Sequence, residues 1–291
     1  MKIVRTGTIR QLVAAAVLVS MIATGILVAG CGTATVTVAT TSETAQSELY
    51  GMLVEQFERE YGMKVETVTY GSSKEVLEAG AQGKADALLV SNKAALDEWI
   101  KQEYSLSSND VFYSEFLVVG PEADPAQVTG LDCPAKSCKK IGMAGQPFVA
   151  RGDGSDLDAK VKGYWVKNGL DPSGKLWYTP DGGDMLATLQ LAGEQQGYTV
   201  CDTSTWIENK EDIPLSDMQV VCTMLMNQYS LVVLDPGKFS DIEMNTEGAQ
   251  KLAEFLVSES GQEMIGAYEE AGMVIYHPNA TQEAEEQTMN M

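Results

Sequence analysis

Residues 36–90 read VTVATTSETAQSELYGMLVEQFEREYGMKVETVTYGSSKEVLEAGAQGKADALLV and alternate short apolar or β-branched runs with longer segments of helical spacing. The runs at 36–40, 64–70 and 85–90 predict strands. The last run is almost wholly apolar, which is typical of a strand that is buried on both faces. Because apolar residues recur at helical spacing between the runs, the stretch predicts β-α-β-α-β order and a mostly parallel sheet.

The same alternation continues beyond residue 90 and predicts a second α/β lobe. A fourth strand at 112–119 ends in Gly120-Pro121, and the Pro- and Gly-rich residues 121–138 indicate a connection between lobes. We therefore expect an α/β protein of two lobes, each a mostly parallel sheet flanked by helices. The predicted divisions are residues 31–120 and 228–280 for lobe I, 121–227 for lobe II and 281–291 for an acidic tail.

The composition indicates a binding protein. The chain has 291 residues, 44% of them hydrophobic, so it can bury a core and is not a disordered chain. Its 20 Lys and Arg residues against 41 Asp and Glu residues give a formal charge of −21, which excludes nucleic acid as a partner. With His277 as its one histidine, the chain lacks material for a His-based zinc site or a Ser-His-Asp triad. No nucleophile–base pair is visible in the sequence, so we expect no enzyme, cofactor or metal.

Residues 1–30 have the form of an export signal. A basic start is followed by an apolar run from Leu12 to Val28 and then by small residues before Cys31. This ending resembles the bacterial lipobox, in which the cysteine becomes the mature N-terminus and carries lipid. We expect residues 1–30 to be a lipoprotein signal peptide and Cys31 to anchor the protein to the extracytoplasmic face of the cell membrane. The alternative is an uncleaved anchor helix, which the short apolar run disfavours.

Export would place the remaining cysteines in an oxidising compartment. Cys133, Cys138, Cys201 and Cys222 allow three disulfide connectivities. Cys133 and Cys138 flank a short segment, so pairing them would cost little loop-closure entropy. We expect the disulfides Cys133–Cys138 and Cys201–Cys222, with four free thiols as the alternative.

Four predicted strand-to-helix turns are rich in Ser, Thr and Gly, at residues 40–42, 71–73, 151–155 and 202–205. Helix N-termini offer unpaired N–H groups and the positive end of the helix dipole, and hydroxyl groups add further donors. Because ligands of open α/β sheets bind beyond the carboxyl ends of the strands, turns from two facing lobes can enclose a small anion. The alternative for each turn is an ordinary N-cap.

Arg151 lies in the third of these turns, in a chain with few basic residues. Its guanidinium group has the geometry to bind a tetrahedral oxyanion through two hydrogen bonds. The alternative is a structural ion pair with a neighbour such as Asp153. Arg151 is therefore the candidate cation of an oxyanion site.

Nine short motifs occur in order between about residue 36 and residue 280. They are Ala39-Thr40-Thr41-Ser42, Gly71-Ser72-Ser73, Ala85-Asp86-Ala87-Leu88-Leu89-Val90, Tyr113-Ser114-Glu115-Phe116-Leu117-Val118-Val119-Gly120-Pro121, Ala150-Arg151-Gly152-Asp153-Gly154-Ser155-Asp156-Leu157, Trp177-Tyr178, Ala187-Thr188-Leu189, Asp202-Thr203-Ser204-Thr205-Trp206 and Asn245-Thr246-Glu247-Gly248-Ala249-Gln250. In this order they resemble the motifs of the tungstate-binding components of ABC transporters, a branch of the type II periplasmic-binding-protein fold.

The resemblance implies a two-lobed type II periplasmic-binding-protein fold and a solute-binding protein. It implies capture of a tetrahedral oxyanion, tungstate or molybdate, for an ABC permease, and we expect a monomer. The residues that would bind the oxyanion are Thr41, Ser42, Ser72, Ser73, Arg151 and Ser155. Two alternatives stay open: the same fold with phosphate or another small anion, and a lipoprotein sensor that is not coupled to transport.

The sequence departs from the family's pattern near the expected site. Asp156-Leu157 stands where the family has Gly-Thr, Asp184 replaces a glycine, and Thr203 replaces a frequent arginine. Tungstate and molybdate only accept hydrogen bonds, so a carboxylate in the site would suit an anion that still carries a proton, such as hydrogen phosphate or hydrogen arsenate. The favoured alternative is that Asp156 and Asp184 point to solvent as helix N-terminal charges.

Overall fold

A computed structural model describes residues 34–180 and 183–280 of the chain. The predicted signal peptide, the predicted lipidation site Cys31 and the predicted acidic tail at 281–291 lie outside the described residues. Within the described ranges, no helix is both long enough and apolar enough to cross a membrane.

Strands and helices alternate through most of the described residues, as the sequence predicts. The strands are β1 (Thr35–Thr41), β2 (Lys64–Tyr70), β3 (Ala87–Val90), β4 (Ser105–Gly120), β5 (Phe148–Ala150), β6 (Tyr178–Pro180), β7 (Thr199–Asp202), β8 (Ser216–Asp217), β9 (Met226–Leu234), β10 (Glu269–Glu270), β11 (Met273–Val274) and β12 (His277–Pro278). The α-helices are α1 (Ser42–Gln46), α2 (Glu48–Tyr61), α3 (Ser73–Ala81), α4 (Lys93–Ile100), α5 (Pro134–Ala144), α6 (Asp156–Lys167), α7 (Met185–Glu194), α8 (Thr203–Asn209), α9 (Thr246–Val257) and α10 (Glu259–Ala267).

Helix α2 illustrates how the sequence sets these elements. The Ser47 side chain accepts a hydrogen bond from a backbone N–H in the first turn and so caps the helix. Leu49, Leu53 and Phe57 recur at helical spacing and are buried against the sheet. Gly62 ends the helix in the left-handed conformation, with φ of 65°, which glycine adopts without steric cost.

The main sheet is mixed, with the strand order β12-β4-β9-β3-β1-β2. Strand β1 pairs in parallel with β2 and β3, which confirms the parallel unit predicted for residues 36–90. Strand β9 returns from the second half of the chain and lies antiparallel between β3 and β4. One sheet therefore joins strands that are distant in sequence.

Strand β4 belongs to both parts of the structure. It pairs with β9 from Ser105 to Glu115 and with β7 and β8 from Phe116 to Gly120. Its change of partner lies ahead of the lobe boundary predicted at residue 120. We call β1, β2, β3, β9 and β12, with the first part of β4, the β1 side. We call β5 to β8, with the last part of β4, the β7 side.

The β7 side has an aromatic core that positions helix α6. Trp165 of α6 is fully buried and packs edge-on against Phe148 of β5, with 5.1 Å between the ring centroids. Trp177 lies 5.4 Å from the Trp165 ring. This packing fixes the helix whose first turn reaches the space between the two sides.

The predicted disulfides Cys133–Cys138 and Cys201–Cys222 are wrong for this structure, because all four cysteines of the described residues are free thiols. Cys133 is the N-cap of α5 and Cys138 lies within that helix, so the helix separates them by about 7.5 Å along its axis and turns them to different faces. Cys201 is fully buried in β7. Cys222 instead lies near Lys136 and Tyr164.

Candidate functional site

A cleft of about 570 Å³ lies between the β1 side and the β7 side. Strand ends and helix starts line it from both directions, including Thr41 and Ser91 from the β1 side and Arg151, Asp156 and Asp202 from the β7 side. Strand-to-helix turns from two parts of the fold therefore face one another, which is the arrangement that the sequence predicts for an enclosed ligand.

The described lining of this cleft is strongly acidic. It carries one basic side chain, Arg151, against seven carboxylates: Glu43, Glu48, Asp156, Asp184, Asp202, Glu208 and Glu270. Asp156 and Asp184 were considered near the site from the sequence, whereas most of the other carboxylates were not foreseen in the cleft. An anion that binds here must reach the few donors without close approach to the carboxylates.

Arg151 crosses the cleft and is held by carboxylates on both sides. Its Nη1 donates to Glu43 Oε1 of α1 at 2.5 Å, while its Nε and Nη2 donate to Asp153 Oδ2 at 3.0 and 2.7 Å. Burial alone would lower the pKa of Arg151, but the charges of Glu43 and Asp153 outweigh it and raise the pKa. Burial would raise the pKa of Asp153, but hydrogen bonds from Ser155 and Arg151 lower it. The ion pair with Asp153 that the sequence suggested is therefore present.

The contacts of Arg151 leave it capacity for a ligand. A guanidinium group has five N–H donors, and the described residues take three of those of Arg151. Its side chain keeps 10% of its surface exposed and lines the cleft. One N–H on each terminal nitrogen therefore remains available to a further acceptor.

Asp158 shapes the turn that carries Arg151. Its carboxylate is 99% buried and accepts from Gly152 N at 3.1 Å and from Gly154 N at 3.0 Å. Both glycines have positive φ, 66° and 79°, a conformation that favours glycine. Lys162, one turn further along α6, pairs with the same carboxylate at 2.6 Å. The turn is thus held by side-chain contacts of its own helix.

Asp156 does not point to solvent, so that expectation from the sequence is wrong. As the first residue of α6 it reaches across to the β1 side, where Oδ2 accepts from Ser73 N at 3.0 Å and from Ser91 Oγ at 3.4 Å. Its Oδ1 accepts from Asn92 Nδ2 at 3.3 Å. Asp184 behaves as expected: it is an exposed N-cap of α7 that accepts from Ala187 N at 2.8 Å, although it also lines the cleft.

The predicted hydroxyl ligands act as helix caps or bridge turns. Thr41, Ser72 and Ser155 each accept a hydrogen bond from the backbone N–H of the third residue of the following helix. Ser42 Oγ donates to the Tyr70 carbonyl at 3.3 Å. Thr41 lines the cleft. An accepting hydroxyl keeps its own O–H as a donor, so capping does not exclude a ligand contact for Ser72, whereas the Ser155 hydroxyl already donates to Asp153.

Three residues that sequence reasoning missed contribute directly to the site. Ser91 and Asn92 lie between β3 and α4, and Asn92 caps α4, so they form a further strand-to-helix turn of the kind predicted elsewhere from the sequence. Glu43 could have been found as the acidic residue in the first turn of α1. Its contact with Arg151 spans 108 residues and has no local signature.

The far wall of the cleft contains a pair of interacting carboxyl groups. Glu270 accepts from Ser204 Oγ at 2.5 Å and lies close to Glu208. Burial raises the pKa of Glu270, the Ser204 hydrogen bond opposes this, and Glu208 raises it further. In the described residues, no group of three or more His, Cys, Asp or Glu side chains is arranged to hold a metal ion.

A two-lobed α/β protein whose polar cleft is lined by facing strand-to-helix turns has the architecture of a solute-binding protein. Comparison with known proteins agrees. Residues 28–260 match the family described as a PBP superfamily domain, and the chain belongs to this superfamily, in the branch of ABC-transporter binding proteins that includes TupA. The predicted resemblance is therefore confirmed, and the protein is a solute-binding protein rather than an enzyme.

Individual relatives cover most of the chain. A putative ABC transporter anion-binding protein of Haloferax volcanii is 34% identical over 85% of this chain and 72% of its own. The tungstate-binding protein TupA of Peptoclostridium acidaminophilum is 34% identical over 83% of this chain and 85% of its own. The solved structure of TupA from Desulfovibrio alaskensis G20 matches 85% of this chain and 100% of its own, with a TM-score of 0.77 and 28% identity.

Proposed function

We propose that this protein captures a tetrahedral oxyanion, tungstate or molybdate, and delivers it to an ABC permease. Two relatives are named tungstate-binding and one is named anion-binding, which supports an oxyanion ligand. The donors in the cleft supply the physical argument for the same ligand class.

The observation that carries the proposal is that the N-terminus of α3 already holds an oxyanion, the carboxylate of Asp156. Ser73 N, Ser91 Oγ and Asn92 Nδ2 converge on its two oxygens. A backbone N–H at the start of a helix of nine residues, together with two side-chain donors from the turn between β3 and α4, forms a favourable anion site. A tetrahedral oxyanion presents the same oxygen acceptors to these donors.

Arg151 would complete the donor shell from the opposite side. Its two remaining N–H groups would bind a pair of oxygens, and closure of the two lobes would remove water from the ligand. We keep the lobe boundaries predicted near residues 120 and 228, and β4 changes its pairing partner at residues 115–116.

Isothermal titration with tungstate, molybdate, sulfate and phosphate tests the proposal. Tungstate and molybdate should bind wild-type protein, and Arg151→Ala should remove a contact worth about 4 kcal/mol at an effective dielectric of 20, which is about a thousandfold in Kd. Arg59→Ala is the matched control, because Arg59 is an exposed arginine that pairs with Glu55 outside the cleft lining. Equal affinity in wild-type protein and Arg151→Ala would refute the assigned site.

Hydrogen phosphate is a second candidate ligand, and the position of Asp156 favours it. A P–OH group could donate to this carboxylate, whereas tungstate and molybdate offer no proton. In the same titration, binding of phosphate without binding of tungstate would select this candidate.

We also propose that the protein works as a monomer on the extracytoplasmic face of the cell membrane, held by lipid on Cys31. The lipobox-like ending of residues 1–30 supports this location. Cys31→Ser should move the protein from the membrane fraction to the soluble fraction of producing cells. Retention of Cys31→Ser in membranes would contradict lipid anchoring.

A further inference from the structure

The carboxylate of Asp156 occupies the donors that an incoming oxyanion needs. Asp156 belongs to the β7 side, and its three donors, Ser73 N, Ser91 Oγ and Asn92 Nδ2, all belong to the β1 side. The contact with Ser73 joins residues that are 83 positions apart in the chain. Asp156 thus fills the anion site from within and ties the two sides together.

A second contact across the cleft occupies the other half of the proposed site. Arg151 of the β7 side donates to Glu43 of the β1 side at 2.5 Å. Both contacts put a protein carboxylate against a donor group that the proposed function gives to the ligand. The contact with Glu43 takes only part of the donors of Arg151, whereas Asp156 takes the three donors at the start of α3 and in the β3–α4 turn.

The charge of Asp156 has no cationic partner in direct contact within the described part of the chain. Lys160 is one turn further along α6, but its Nζ donates to the Met226 carbonyl at 2.6 Å and lies 5.4 Å from the centre of the Phe116 ring. The negative charge at the α3 N-terminus is thus held by hydrogen bonds and the helix dipole, and the charge of Lys160 acts on it without direct contact. A dianion entering the same place would meet this charge directly.

We propose that Asp156 is a built-in competitor for the oxyanion and sets the selectivity of the cleft. This inference rests on the proposed oxyanion site. A fully deprotonated anion such as tungstate must displace the carboxylate from Ser73, Ser91 and Asn92 before it can bind, and it is repelled while the carboxylate stays. An anion that carries a proton can donate a hydrogen bond from its O–H group to the carboxylate. This hydrogen bond offsets part of the charge repulsion.

The test compares tungstate and phosphate titrations of wild-type protein with Asp156→Asn and Asp156→Ala. Both substitutions remove the charge, and Ser155 still caps α6, which thermal unfolding would verify. Glu75→Gln is the matched control. It removes an equal charge from the first turn of α3, where the Glu75 carboxylate accepts from Gly71 N. The hydrogen bond from Ser73 N to Asp156 does not involve Glu75.

We expect tungstate to bind at least tenfold more tightly to both Asp156 variants, phosphate to gain less, and Glu75→Gln to stay within twofold of wild type. Binding by an Asp156 variant where wild-type protein binds nothing would also support the competitor. Tungstate affinity that is unchanged or lower in both Asp156 variants, or an equal gain in Glu75→Gln, would overturn the inference while the oxyanion site stands. Absence of binding of either anion to wild-type protein and to both variants would overturn the proposed function together with the inference.

Discussion

Replacement of Asp158 by alanine should loosen the turn that presents Arg151. Asp158 is the acceptor for Gly152 N and Gly154 N, and its carboxylate is almost completely buried. A hydrogen bond to a charged group contributes about 1.5–3 kcal/mol, so two such bonds contribute about 3–6 kcal/mol. Because both glycines are exposed, water can recover part of this energy after the substitution. We expect a loss of about 3 kcal/mol in the free energy of unfolding.

Thermal unfolding followed by circular dichroism would measure this loss. For a domain of this size, about 3 kcal/mol corresponds to a fall in Tm of about 6–12 °C. Lys162→Met removes the ion pair with Asp158 but keeps the hydrogen bonds from Gly152 N and Gly154 N, so it distinguishes the two contributions. Lys162 keeps 55% of its side chain exposed, so its loss should cost less than about 1 kcal/mol. A loss below about 1 kcal/mol in Asp158→Ala, or an equal loss in the two variants, would refute the assigned role of the carboxylate.

Two further substitutions test other parts of the structure. Burial raises the pKa of Glu270, so the folded state keeps a proton at pH values where the unfolded state has released it. The contribution of Glu270 to the free energy of unfolding should therefore fall as the pH rises from the unfolded pKa through the raised folded pKa. Urea unfolding of Glu270→Gln at pH 4.5 and pH 7 should therefore show a smaller decline than wild type, and an equal decline would contradict this assignment. In Gly120→Ala the new Cβ would lie 2.3 Å from the Tyr198 ring. We expect this overpacking to lower the free energy of unfolding by about 1–3 kcal/mol and to lower the Tm accordingly. An unchanged Tm would show that the ring can move aside.

The sequence predicts the β1 side well, because its signals are local. Strands β1 and β2 and helix α2 follow from β-branched runs, helical spacing and a glycine stop. The first part of β4 escapes prediction, since residues 105–110 are mostly polar and lack the alternation of a half-buried strand. That segment is fixed by its pairing with β9, which is distant in sequence.

The candidate site is predicted less completely, for a related reason. Arg151 was found because a guanidinium in a Gly-rich turn is informative by itself. Asp156 was misjudged because its position at the start of α6 predicts an interaction with its own helix dipole, whereas its actual donors lie on another helix and turn. The prediction of a disulfide between Cys133 and Cys138 was wrong for a similar reason. The four residues between them would suit a loop, but they lie in helix α5.

The antiparallel insertion of β9 between β3 and β4 has a consequence for the order in which the chain can fold. Residues 87–90 find their edge partners only at residues 230–233, so the central strands of the sheet stay incomplete until most of the chain is available. Closing such long loops is entropically costly and slows folding. A chain that leaves a ribosome or an export channel with its N-terminus first exposes the apolar edge of β3 until residues 230–233 have also emerged. Its yield during production should therefore depend on how well that edge is protected from other chains.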